Sequence, residues 1–198
     1  MKIKRAFTAS ILFVVMLGLF YYCHIAFFRV NVVFYAAILD AFLAALTAGL
    51  LLFLLNYFRI LGSFEKAQLV MIWMLAGYGF AITIPTVIDR SLSFYILEKL
   101  QQRGGGIKLD AFEKVFTEEY VKEHHLVEVR LTEQQESGTI TISHGCVKLT
   151  DKGDKLAHFS RFFRLNFLPK KRLLMGRYSD DMVDPFRNSS TSPNYLCK

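Results

Sequence analysis

VVFYAAILDAFLAALTAGLLLFLLNYF, residues 32–58, runs for 27 residues with a single charged side chain, Asp40. About 20 apolar residues cross about 30 Å of hydrocarbon, so this segment is long enough to span a bilayer with tilt. It also carries a pattern that lipid burial alone does not demand: Ala37, Ala41, Ala45 and Gly49 recur every four residues, with Ala44 and Ala48 alongside. Small residues at that spacing form a smooth stripe that lets another helix approach closely. Asp40 lies at the edge of the stripe, where an ionisable group costs about 2.5–3.5 kcal/mol on insertion scales and is expected to face protein. Tyr21, Tyr22 and His24 fall at the same membrane end and are the nearest candidate partners. Asp40 then has two readings, a helix-packing hydrogen bond or a proton- or substrate-handling carboxylate.

Working outward, two more segments have spanning character. Residues 6–28 follow the basic cluster Lys2, Lys4 and Arg5 and end in aromatics, Phe20, Tyr21, Tyr22, Phe27 and Phe28. The run is long and lacks a small-x-small cleavage site, which favours an uncleaved anchor over a signal peptide. Residues 67–88 hold Trp73 and a second small-xxx-small pair, Gly77 and Ala81, and Pro85 is expected to kink or end that helix. The short connection 59–66 predicts an antiparallel hairpin of the second and third helices. An odd number of spans places the N-terminus and everything after residue 88 on opposite sides. The N-terminus and second connection carry five basic residues (Lys2, Lys4, Arg5, Arg59, Lys66) and the opposite side four (Arg29, Arg90, Lys99, Arg103). That difference leans towards a cytoplasmic N-terminus and leaves the side of the C-terminal half unresolved.

Near Ile88 the chain changes character. Residues 1–88 hold six Lys/Arg and two Asp/Glu, against 18 and 15 in residues 89–198. The polar part, about 110 residues, is enough for one small core. It is only mildly basic, unlike a dedicated nucleic-acid binder. Cys23, Cys146 and Cys197 lie far apart without ligand spacing, so neither a disulfide framework nor a zinc site is expected. Helical spacing covers 89–103 (Leu92, Ile96, Leu100), stopped by Gly104-Gly105-Gly106. A short helix is predicted for 109–117, a third for 120–136, a hairpin from 139–142 and 146–149, and a last helix for 151–166 capped by Thr150.

Helix, helix, helix, hairpin, helix is the order of a winged-helix domain. Leu131, Ser137-Gly138 and Ile140, followed by Val147-x-Leu149-Thr150-x-Lys152-Gly153, resemble the third-helix and wing passage of the MarR- and PadR-like winged-helix families over residues 91–165. The resemblance implies a third helix that enters the DNA major groove and a wing that touches the backbone or minor groove. Carried over, the contact residues are Lys122, His124, His125, Arg130, Gln134 and Gln135 on the helix and His144 on the wing. The charge pattern departs from those families: Glu118, Glu119, Glu123, Glu128, Glu133 and Glu136 share that helix, and phosphate binding needs cations. Winged helices also dock proteins, and fold does not fix function.

Residues 161–177, RFFRLNFLPKKRLLMGR, place Arg161, Arg164, Lys170, Lys171, Arg172 and Arg177 among phenylalanines and leucines. This pattern suits either an anionic membrane surface or a core with a solvated charged rim. The expected organisation is therefore mostly α: a transmembrane region at 1–88, a winged-helix-like α+β domain at 89–167, and a basic, flexible tail at 168–198. No phosphate-loop, dinucleotide, HExxH or GxSxG motif occurs, so no catalytic residue, cofactor, metal or small-molecule substrate is expected. The leading expectation is a non-catalytic accessory or regulatory subunit of a bacterial-type inner membrane. It would pack on a membrane partner or on its own copies through Ala37, Ala41, Ala45 and Gly49, in a setting such as envelope assembly or transport, and use its winged-helix-like module for protein docking. The alternatives are a membrane-tethered winged-helix transcription regulator and a small transporter or channel component using Asp40.

Overall fold

Three apolar helices dominate the first half of the chain because nothing in their sequences interrupts them. The computed structural model describes residues 1–186, and within them the chain is mostly helical. Helix α1 (Lys2–Phe27), α2 (Val33–Leu54) and a composite helix Ser63–Arg90 are each long and apolar enough to cross a membrane. The composite helix consists of α3 (Ser63–Ala81), a π-helical turn Ile82–Thr86 and α4 (Val87–Arg90). Pro85 was expected to kink or end this helix. The regular α-helix gives way there to the wider turn, which absorbs the missing N–H, and the Thr86 hydroxyl donates to the Ala81 carbonyl at 2.7 Å before α4 ends at Arg90. The connection between α2 and α3 is a 3₁₀ turn, Asn56–Phe58, and the Glu65 carboxylate caps α3 by accepting from the Gly62 N–H at 2.7 Å.

The chain divides into two compact units, Met1–Leu126 and Val127–Lys198, a division that falls inside the expected 89–167 segment. In the first unit α2 is the central helix. Ala37, Ala44, Ala45 and Ala48 are fully buried, and Ala41 nearly so. Gly77 of α3 lies against Ala41 so closely that a Cβ there would sit 2.7 Å from the Ala41 Cβ. The Phe13 and Trp73 rings stack with centroids 5.5 Å apart, and the Trp73 indole N–H donates to Ser10 Oγ at 3.1 Å. The small-residue stripe is thus used within the chain, where close backbone approach maximises van der Waals contact. Ala81 is fully buried as well.

Beyond Arg90 the first unit adds α5 (Leu92–Gln102), then α6 (Phe112–Lys114) and α7 (Val121–Glu123) flanking a π-helical stretch, Val115–Tyr120. Ser91 Oγ caps α5. Tyr95, Val115 and Tyr120 form its core, with Ile107, Phe116 and Leu126 packed on it. The expected single helix over 120–136 is broken. His125 adopts φ 44°, a left-handed conformation that no helix continues through, and α8 (Leu126–Glu136) begins after it.

The second unit contains α8, the hairpin β1 (Ile140–Ser143) and β2 (Cys146–Leu149), and α9 (Asp151–Phe167). The predicted hairpin is present with Ile140 opposite Leu149 and Ile142 opposite Val147. Its tight turn is His144-Gly145, both at positive φ. A second hairpin, β3 (Arg172–Leu174) and β4 (Arg177–Ser179), occupies part of the segment expected to be a flexible tail. Its turn, Met175-Gly176, likewise has both residues at positive φ, the chemistry of a two-residue hairpin loop. Cys23 is free and exposed.

Candidate functional site

Asp40 is 2% exposed, and its Oδ1 lies 2.8 Å from His24 Nδ1, the candidate partner at the end of α1. Tyr21 packs edge-on to Phe80, and Tyr22 is largely exposed, so neither takes that role. Asp40 Oδ2 is buried without a hydrogen-bond partner. A lateral cavity of about 430 Å³ adjoins the pair, lined by Phe20, Cys23, His24, Phe28, Leu39, Asp40 and Leu43. At the opposite end of the same bundle Lys2 pairs with Glu65 at 2.9 Å, and the Arg5 guanidinium lies 3.2 Å over the Tyr57 ring.

A denser polar site lies between α5 and α7, and no residue pattern in the sequence analysis singled it out. Lys99, only 5% exposed, reaches Glu119 Oε2 and Glu123 Oε1, each at 2.7 Å. The Tyr95 hydroxyl donates to Glu123 Oε2 at 2.9 Å, and Arg103 donates to both Glu119 oxygens at 3.1 and 3.2 Å. His124 packs on the Tyr95 and Tyr120 rings, and a polar cleft of about 300 Å³ opens beside Tyr95, Lys99, Glu123 and His124. The hydrogen bonds from Lys99 hold both glutamate pKa values below their ordinary value, with Arg103 assisting at Glu119 and Tyr95 at Glu123. The same two acceptors, Glu119 first, raise the Lys99 pKa. Burial, then the neighbouring Glu123, raises that of Tyr95. The amine is thus held protonated, and the cluster ties α5 to the Glu119–Glu123 stretch. Its sequence signal was present: Tyr95, Lys99 and Arg103 recur every four residues, as do Glu119 and Glu123, which puts complementary charges on one face of each element.

The residues that carried the winged-helix resemblance form a latch in the second unit. Thr150 Oγ1 accepts from the Gly153 N–H at 3.1 Å, capping α9, and donates towards the carbonyls of Gly138 and Thr139 at 2.8 and 3.0 Å. Lys152 Nζ donates to the Ser137 carbonyl. Gly153 is required because a Cβ there would meet the Thr139 carbonyl oxygen at 2.1 Å. This passage therefore fixes the start of α9 against the end of α8.

The suggested contact residues do not form one surface within a unit. Lys122, His124 and His125 belong to the first unit, while Arg130, Gln134 and His144 belong to the second. Arg130 donates to Glu133 at 2.8 Å, Gln134 accepts from Thr139, and His144 sits in the hairpin turn. Of the suggested lipid-surface residues, Arg161 and Arg164 lie on α9, Lys170 and Lys171 precede β3, and Arg172 and Arg177 lie on the second hairpin. Among the described residues no group of three or more His, Cys, Asp or Glu is placed to hold a metal ion. Comparison with family models, curated proteins and solved structures gives no match to this chain.

Proposed function

We propose that the chain is a non-catalytic, membrane-integral accessory or regulatory subunit of a bacterial-type inner membrane, whose polar half docks a protein partner. The observation that carries this reading is the exposed apolar face of the β1–β2 hairpin and its neighbour α8. Ile142, Val147 and Leu149 share one face of the hairpin and are 43%, 45% and 58% exposed, and Val127 on α8 is 56% exposed. Apolar side chains contiguous on a hairpin face mark an interaction surface in a soluble unit. Because Ala37, Ala41, Ala45 and Gly49 are already covered inside the bundle, partner contact is assigned to this face rather than to the stripe. A bulky group at Ala41 is then expected to disrupt the bundle before it disrupts any complex.

The basic tally, five residues against four, leans towards a cytoplasmic N-terminus, and with an odd number of spans this reading puts the polar half outside the cytoplasm, away from DNA. The test is co-purification of the full chain from detergent-solubilised membranes. The native chain is expected to retain a stoichiometric protein partner that the I142E/V147E double variant loses at unchanged expression. A native chain that purifies alone as a monomer contradicts the proposal.

A second reading, proton handling at Asp40, has the unpartnered Oδ2 and the adjoining cavity in its favour. It requires Asp40→Asn to abolish a proton-dependent activity of the reconstituted complex while leaving expression intact.

A further inference from the structure

The second unit has an unusual defect for a water-soluble body: among its described residues only Thr139 and Gly153 are buried, and neither is a large apolar side chain. Its apolar mass is instead concentrated on α9 and the second hairpin. Leu156, Phe159, Phe163 and Phe167 fall within about 80° of one another around the α9 axis. Their exposures are 54%, 60%, 44% and 64%. The ring centroids of Phe159 and Phe163 are 6.1 Å apart and those of Phe163 and Phe167 5.3 Å, so the rings form a continuous strip along the helix. Beyond α9, Leu173 and Tyr178 face each other across β3 and β4, 58% and 72% exposed, and the hairpin turn presents Met175 at 85%.

The charges within residues 159–179 are of one sign, with acids only in the flanking sequence, Asp154 before and Asp180, Asp181 and Asp184 after. Residues 159–179 contain Arg161, Arg164, Lys170, Lys171, Arg172 and Arg177 and no Asp or Glu. Arg161 lies 3.8 Å from Asp184, and Arg164 lies over the Phe186 ring, while Lys171, Arg172 and Arg177 are exposed. A protein partner with an apolar groove would explain the phenylalanines, but six cations in 21 residues, of which Arg161 alone lies near an acid named above, fit a surface of negative charge. Aromatic side chains combined with cations are the composition of a segment that lies in a headgroup layer, rings at the acyl boundary and cations on phosphates.

We propose that α9 and the β3–β4 hairpin rest on the anionic surface of the bilayer that α1, α2 and the composite helix cross. The inference rests on the spanning reading of those three helices. Tethering by the spans keeps the segment at high local concentration near lipid, so a modest intrinsic affinity is sufficient for occupancy.

The test is amide hydrogen exchange on the full chain, one copy per lipid nanodisc, in phosphatidylcholine alone and in phosphatidylcholine mixed with phosphatidylglycerol. Residues 159–179 are expected to exchange about tenfold or more slowly in the anionic discs. The K170E/K171E/R172E/R177E variant should lose this difference, and so should F159S/F163S, which leaves every charge in place. Equal exchange in the two lipid compositions, with the amides of α1 to α3 protected in both, overturns the docking inference and leaves the spanning reading standing. Free exchange in α1 to α3 overturns both. Protection that appears only with two chains in a disc assigns the strip to a second copy and overturns the lipid surface as its occupant.

Discussion

Gly77 is the residue on which the apolar bundle turns most directly. Its missing side chain lets α3 sit against Ala41, where an added Cβ would be 2.7 Å from a neighbouring Cβ. Overpacking in a tight core costs about 1–3 kcal/mol. Gly77→Val is therefore expected to lower the stability of the detergent-solubilised chain by about that amount, read as a shifted midpoint in denaturing-detergent titration. Gly79 has nothing within 4 Å of its would-be Cβ, so Gly79→Ala should leave the midpoint unchanged. A matching pair of outcomes is expected for Gly153 in the second unit and Gly106 in the first. Gly153→Ala drives a Cβ into the Thr139 carbonyl and should destabilise the α8–α9 latch, whereas Gly106→Ala meets open space. Both Gly77 and Asp40 were legible from sequence because membrane burial restricts which residues are tolerated, and deviations stand out. The Gly153 role was visible only as a family-like motif, since the contact it permits lies 14 residues back along the chain at Thr139.

At the scale of elements, the Lys99 network ties α5 to α7 and its neighbouring turn, and it sets a pH window. Glu119 and Glu123 titrate below the unfolded carboxylate value of about 4.3, so their contribution is complete above that pH and is lost as pH falls through the depressed values. Lys99 titrates above the unfolded value of about 10.4, so its contribution is complete below that pH and is lost only as pH rises past it. Helicity of residues 92–123 should hold between about pH 5 and 10 and fail first on the acid side, followed by hydrogen exchange against pH. Lys99→Met should invert the acid limb. With two glutamates left facing each other, protection of these helices is expected to improve as pH drops from neutral towards 5. The four-residue spacings that build the network were in the sequence, but amphipathic spacing alone does not say which two helices meet. The break at His124–His125 was illegible for a different reason: no glycine or proline marks it in the sequence. The second hairpin was missed because its strands, Arg172–Leu174 and Arg177–Ser179, are three residues each, too short for an alternation that marks a strand.

For the molecule as a whole, the apolar half is closed on itself and the polar half is open. The bundle covers its small-residue stripe and pairs Asp40 with His24, whereas the second unit leaves its apolar side chains on the outside. That contrast supports an anchor that presents a docking surface in its second unit. A stripe of alanines reads the same whether the helix it receives is its own neighbour or a partner's. Three helices of spanning length were readable from hydropathy, and the structure adds that Lys2 and Arg5 gather with Tyr57 and Glu65 at one end of the bundle. His24 and Asp40 lie at the other end, where the chain leaves α4 for its polar half. The most direct test of this account is a pair of reporter fusions in living cells, one at Met1 and one at Lys198, using a fluorescent protein that folds only in the cytoplasm and a phosphatase active only outside it. Fluorescence from the Met1 fusion with phosphatase activity from the Lys198 fusion is the predicted result; reporters that place both termini on the same side of the membrane contradict the three-span anchor.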